Sequence, residues 1–121
     1  MTVVLVVEDD PFIRDWAQTA IEDYGYDTLL AADVDEGLAL LRSSQKIDVL
    51  FTDIYLKTLI HGGCELAQQA MILRPGLRVL YATGNAVSKE MASLFLEGTE
   101  CLRKPYTDQA LRRSLEVMVA A

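Results

Sequence analysis

The sequence predicts an α/β fold, doubly wound, with a five-stranded parallel sheet covered by helices on both faces. Three observations carry that prediction. Short apolar runs rich in β-branched residues, Val3 to Val7 and Val49 to Phe51 foremost, are nearly continuous, as in strands buried on both faces. Between them, apolar residues recur at helical spacing, so strand and helix patterns alternate along the chain. The connections are short, and such alternation implies right-handed crossovers within one sheet.

Val3 to Val7 is the first strand and runs into Glu8, Asp9 and Asp10. Pro11 suits the first helical position, where a missing N–H costs nothing, and Asp10 then becomes the N-cap. Ile13, Trp16, Ala17, Ala20, Ile21 and Tyr24 form the helical stripe, which Gly25 stops. Tyr26 to Ala31 is a weaker strand. Asp33 with Glu36 makes a capping box for a second helix, with Leu38 and Leu41 inward, ending near Ser43. Ile47 to Thr52 is the central strand, ending in Asp53, and Tyr55 to Gly63 is a loop. Cys64 to Leu73 reads as a helix with Leu66, Ala67, Ala70 and Met71 inward, stopped by Pro75-Gly76. Arg78 to Ala82 is the fourth strand, ending in Thr83-Gly84-Asn85. Ser88 caps a fourth helix containing Met91, Ala92, Phe95 and Leu96, which Gly98 ends. Glu100 to Arg103 is a short strand before Lys104-Pro105. Thr107 caps a fifth helix carrying Leu111, Leu115, Met118 and Val119. For five strands the flavodoxin-like order, 2-1-3-4-5, is adopted as the known arrangement of this (βα)5 kind.

Length and composition bound the rest. Residues 1–121 suffice for one domain with a real core, and 51% hydrophobic residues argue for a compact chain. No apolar run approaches the roughly 20 residues that span a bilayer, and no basic flank marks a secretory leader, so the cytoplasm is expected. Cys64 and Cys101 are too few for a disulfide scaffold and too isolated for a metal site; both are read as reduced thiols. Cys64 stands near a helix start, which lowers a thiol pKa a little, but with no partner cysteine in sequence reach it is read as structural. A net charge of −7 disfavours nucleic acid and favours cations or basic partner surfaces. His61 is the single histidine, so no histidine cluster or triad is available. Trp16 is read as core or groove edge, and Arg112 with Arg113 as a solvated pair.

The chemistry falls at the carboxyl ends of the strands, where open α/β sheets place ligands. Glu8 and Asp9 follow the first strand, Asp53 the third, Thr83 the fourth and Lys104 the fifth. Singly, each has an ordinary role as cap, turn former or surface lysine. Together they converge. Three close carboxylates repel one another unless a cation sits among them, and hard oxygen ligands at an open site suit Mg²⁺. A carboxylate beside that ion can attack a phosphoryl group, and an ammonium and a hydroxyl stabilise the transferring oxygens.

These residues resemble a known family. VVLVVEDDP, VLFTD, VLYATG and KPY are similar, as a set covering essentially the whole chain, to the receiver domain of two-component response regulators. The resemblance implies Asp53 as phosphoacceptor, Thr83 as switch hydroxyl and Lys104 as phosphate-binding lysine. It implies a Mg²⁺ site of Glu8, Asp9, Asp53 and the backbone carbonyl of Tyr55, with a cis Lys104-Pro105 bond. A sensor histidine kinase or phosphotransfer protein would donate the phosphoryl group, and a downstream protein would read it by contact. A homodimer would pair through the fourth and fifth predicted helices. Such a protein catalyses only its own phosphoryl transfer and dephosphorylation. No output domain is read here, and the starting Met with the tidy final helix favours a stand-alone protein.

Two departures stand out. Cys101 occupies the place, three before the lysine, where many relatives carry an aromatic switch residue, so signal relay is expected to differ. The loop IYLKTLIHGG lacks the usual Met-Pro and is slightly longer. Two other functions compete. A metal-dependent phosphatase of haloacid dehalogenase type needs an aspartate nucleophile where Glu8 stands. A pseudo-receiver that binds partners without phosphorylation is disfavoured by the presence of Asp9, Asp53 and Lys104.

Overall fold

The computed structural model describes residues 1–54, 56, 62–84 and 99–120. The expected loop residues Tyr55 and His61, Asn85, and the helix expected after Ser88 lie outside the described residues, and with that helix one half of the expected dimer face.

Strand β1 (Val3–Val7) leads into α1 (Pro11–Asp23), followed by β2 (Asp27–Ala31), α2 (Val34–Arg42) and β3 (Val49–Asp53). Next come α3 (Gly62–Leu73), β4 (Arg78–Thr83), β5 (Thr99–Arg103) and a last helix, α4 (Asp108–Ala120). The five strands form one sheet in the order β2-β1-β3-β4-β5, every neighbouring pair parallel. The expected order is therefore the observed one.

Local chemistry explains the boundaries. The Asp10 carboxylate accepts the N–H groups of Phe12 at 2.9 Å and Ile13 at 3.5 Å, with Pro11 opening α1. Gly25 follows the helix at φ 95°, a left-handed conformation that side chains resist. Asp33 caps α2 by accepting the Glu36 N–H at 2.8 Å, and the Glu36 carboxylate reaches back to the Ala32 N–H at 3.0 Å. Thr107 caps α4 by accepting the Ala110 N–H at 3.1 Å. One boundary differs from expectation. Helix α3 begins at Gly62, so Gly62 and Gly63 belong to the helix and not to the loop. Gly63 donates its N–H to the Ile54 carbonyl at 2.9 Å, which draws the helix start onto the end of β3.

Alternation along each strand divides the core into two apolar layers. On one side, Leu5, Val7, Leu50, Val79 and Tyr81 pack against Leu38 and Leu41 of α2 and Leu66, Ala67 and Ala70 of α3. On the other, Val4, Val6, Val49, Phe51, Leu80 and Ala82 meet Ala17, Ala20 and Ile21 of α1 and Leu111 and Leu115 of α4. Each fully buried side chain of this size contributes about 1.5–3 kcal/mol by leaving water. Some side chains of the expected stripes are not fully buried: Ile13, Tyr24 and Met71 are half-buried and Val119 is 40% exposed, while Trp16, 42% exposed, lies at the edge of a groove, one of its two expected places. Among the described residues, no helix is long and apolar enough to cross a membrane.

Candidate functional site

Strand register sets the site. Val7 pairs with Thr52, which brings Glu8, the next residue after β1, beside Asp53 at the end of β3. Asp53 pairs in turn with Ala82, and Thr83 with Arg103, so Lys104 follows directly beside Thr83. The Lys104 N–H donates to the Thr83 carbonyl at 2.7 Å, and the Ile54 N–H donates to the Ala82 carbonyl at 3.0 Å. The Lys104-Pro105 peptide is cis, as expected.

The side chains converge. The Lys104 ammonium lies 2.9 Å from Asp53 Oδ2 and 3.2 Å from Glu8 Oε2, bridging both carboxylates. Carboxylate oxygens of Glu8, Asp9 and Asp53 lie within 4.8 Å of one another. Glu8, Asp53 and Thr83 are buried, while Asp9 and Lys104 are half-buried at the mouth. Tyr55 alone of the expected metal-site residues lies outside the described residues.

Electrostatics follow from burial. Loss of water pushes the Glu8 carboxyl up to about 7, the Asp53 charge adds to that, and Lys104 only partly offsets it. Burial pulls the Lys104 ammonium down, but the hydrogen bond and charge of Asp53, with those of Glu8, hold it above its ordinary value. A divalent cation beside these oxygens would relieve the same repulsion. Three hard oxygen donors at a half-open mouth fit Mg²⁺, which binds through a few carboxylates and keeps several waters.

Two neighbours of the site carry no role in the sequence expectations. Tyr106 packs its ring 5.9 Å from Phe51 and 5.6 Å from Trp16. Burial, then the charges of Glu8 and Asp53, push its phenol well above the ordinary range. Its place directly after Lys104-Pro105 was the available signal. Arg14 Nη1 donates to the Glu8 carbonyl at 2.8 Å, and nothing in the sequence marked it. Beside the site runs an apolar groove of about 550 Å³, lined by Phe12, Ile13, Trp16, Lys104, Pro105 and Tyr106 among others. Cys64 is buried, as expected of a structural thiol, and burial pushes its pKa up, overriding any lowering by the helix start. Cys101 is exposed and pairs in register with Tyr81 of β4.

A parallel sheet of this order, with three carboxylates and a lysine gathered at its carboxyl edge, defines a class, and residues 4–116 match the response regulator receiver domain model. The chain belongs to that family. It is 30% identical over 105 residues to the probable transcriptional regulatory protein TcrX of Mycobacterium tuberculosis, covering 86% of this chain and 44% of that protein. The response regulator MprA of Mycolicibacterium vanbaalenii is 27% identical over 96% of this chain and 49% of its own length. The chain thus spans about half the length of these two relatives. Among solved structures, a CheY-like receiver domain protein from Methanospirillum hungatei superposes with TM-score 0.89 at 30% identity, covering 99% of this chain and 94% of that one. Vibrio cholerae chemotaxis protein CheY4 gives 0.87 at 25% identity, covering 98% of each chain.

Proposed function

We propose that residues 1–121 form a single receiver domain that accepts a phosphoryl group onto Asp53 from the phosphohistidine of a kinase or phosphotransfer protein. The observation that carries this reading is Lys104, whose ammonium touches both Asp53 and Glu8 at the mouth of a three-carboxylate hollow. An Asp53 oxygen attacks phosphorus, the histidine N–P bond breaks, and the imidazole nitrogen leaves with the electron pair and takes a proton from water. Asp9, Asp53 and the Tyr55 carbonyl would hold Mg²⁺, with Glu8 acting through water. When bound, Mg²⁺ supplies positive charge against the equatorial phosphoryl oxygens. Lys104 then exchanges its contact with Asp53 for one with the phosphoryl oxygens, and the Thr83 hydroxyl donates to another.

The groove lined by Phe12, Trp16 and Tyr106 opens beside Lys104 and offers an apolar footing to the donor protein, Phe12 being 84% exposed. The chain is a signalling module whose only catalysis is its own phosphorylation and dephosphorylation, and the phosphorylated state is read by protein contact. The test is labelling with acetyl phosphate and Mg²⁺, or binding of beryllofluoride. One acid-stable, base-labile phosphoryl group is expected, and Asp53→Asn abolishes it. Labelling that persists in Asp53→Asn overturns the assignment.

A further inference from the structure

Arg14 closes the first turn of α1 with its backbone, donating its N–H to the Asp10 carbonyl at 2.9 Å. Its side chain turns back the other way, and Nη1 donates to the Glu8 carbonyl at 2.8 Å. That bond completes a set around Glu8. The Glu8 N–H is held by the Ala31 carbonyl of β2 at 3.1 Å, Oε1 accepts from the Asp10 N–H at 3.2 Å, and Oε2 accepts from Lys104 at 3.2 Å. The Glu8 carbonyl shares a rigid peptide plane with the Asp9 N–H, so fixing its oxygen fixes how the chain enters Asp9. Asp9 is the half-buried carboxylate of the hollow, with an oxygen within 4.8 Å of those of Glu8 and Asp53.

We propose that Arg14 is a positioning residue that sets the peptide between Glu8 and Asp9, and through it the Asp9 carboxylate, for Mg²⁺. The proposal rests on the phosphoacceptor reading above. Charge and position act in opposite directions here, which makes the role testable. Arg14 is a cation near three carboxylates, so removing its charge alone leaves the hollow more negative and tightens Mg²⁺ binding. Removing the clamp lets the peptide turn and weakens it. Partners behind a metal ligand commonly alter affinity 10–100-fold when lost.

The experiment titrates Mg²⁺ into the full chain, following Trp16 fluorescence and the unfolding midpoint, and compares the Asp9 amide resonance in metal-free samples. Arg14→Met is expected to weaken Mg²⁺ about 10-fold and to shift the Asp9 amide without metal. Arg14→Lys, which keeps the charge and one donor, falls between that variant and the native chain. Unchanged or tighter binding in Arg14→Met overturns the proposal. Should Arg14→Met not fold, Arg14→Lys decides alone: weaker binding supports the role and native affinity overturns it. A native chain that takes up no Mg²⁺ sinks the phosphoacceptor reading itself, whereas native binding with unaffected Arg14 variants sinks only the positioning role.

Discussion

Glu8 lies at the end of β1 with its carboxylate buried, and its ionisation is tied to the stability of the fold. Burial, reinforced by Asp53, lifts it from the ordinary 4.5 to about 7. The folded chain therefore holds a proton that the unfolded chain releases, and the associated stability is fully present below about 4.5. It is lost as pH rises through about 7. In chelator, the unfolding midpoint is expected to fall between those values, and Glu8→Gln should flatten the slope. Added Mg²⁺ should restore the midpoint on the alkaline side, because a cation favours the charged carboxylate. A native midpoint that rises with pH over this window would contradict the assignment. At this scale, Glu8, Asp9, Asp53, Thr83 and Lys104 were legible because each closes a strand pattern. Arg14 and Tyr106 were not, since their contacts depend on how far a side chain reaches between elements.

At the level of elements, β3 and α3 meet at a joint with no room for a side chain at Gly63. A Cβ on Gly63 would lie 2.0 Å from the Asp53 carbonyl oxygen and 2.9 Å from Ile54 Cα, and both are backbone atoms that cannot rotate away. Gly63→Ala is expected to cost about 1–3 kcal/mol in urea unfolding, as overpacking does, and to slow Asp53 labelling by displacing its backbone. Native labelling in that variant would show that the helix start does not fix Asp53. In the sequence, Gly62-Gly63 reads as loop and the helix is expected only from Cys64. Only the approach of two backbones shows why glycine opens this helix. The same register logic clarifies Cys101, whose neighbour across the sheet is Tyr81, fully buried and facing the α2–α3 layer. The aromatic bulk of this face is thus on β4, so a ring swing on β5 is not available.

For the whole molecule, exposure falls from the sheet edges to its centre. All five residues of β3 are buried, whereas β2 and β5 each expose two or more. Leu50→Ala is expected to cost about 2–5 kcal/mol, because a cavity opens where nothing can collapse to fill it. Leu30→Ala, on the edge strand and 36% exposed, should cost much less. Urea unfolding of both variants checks this, and equal losses would contradict the strand order. That order came from a known arrangement and not from the residues themselves. Strand identity was legible because buried parallel strands read as apolar runs, while side-by-side order depends on crossovers that leave no local mark.

The two thiols offer a practical handle. Cys101 is exposed on the outer strand and Cys64 is sealed beneath the sheet, so a maleimide dye would attach to one position of the unmodified chain. Partial loss of water, with the Glu100 charge adding to it, holds the Cys101 thiol above its ordinary pKa, so coupling would proceed faster in mildly alkaline buffer than at neutrality. The fluorophore would then sit on the strand that leads to Lys104, where a change at the acidic hollow could be watched optically without an engineered cysteine.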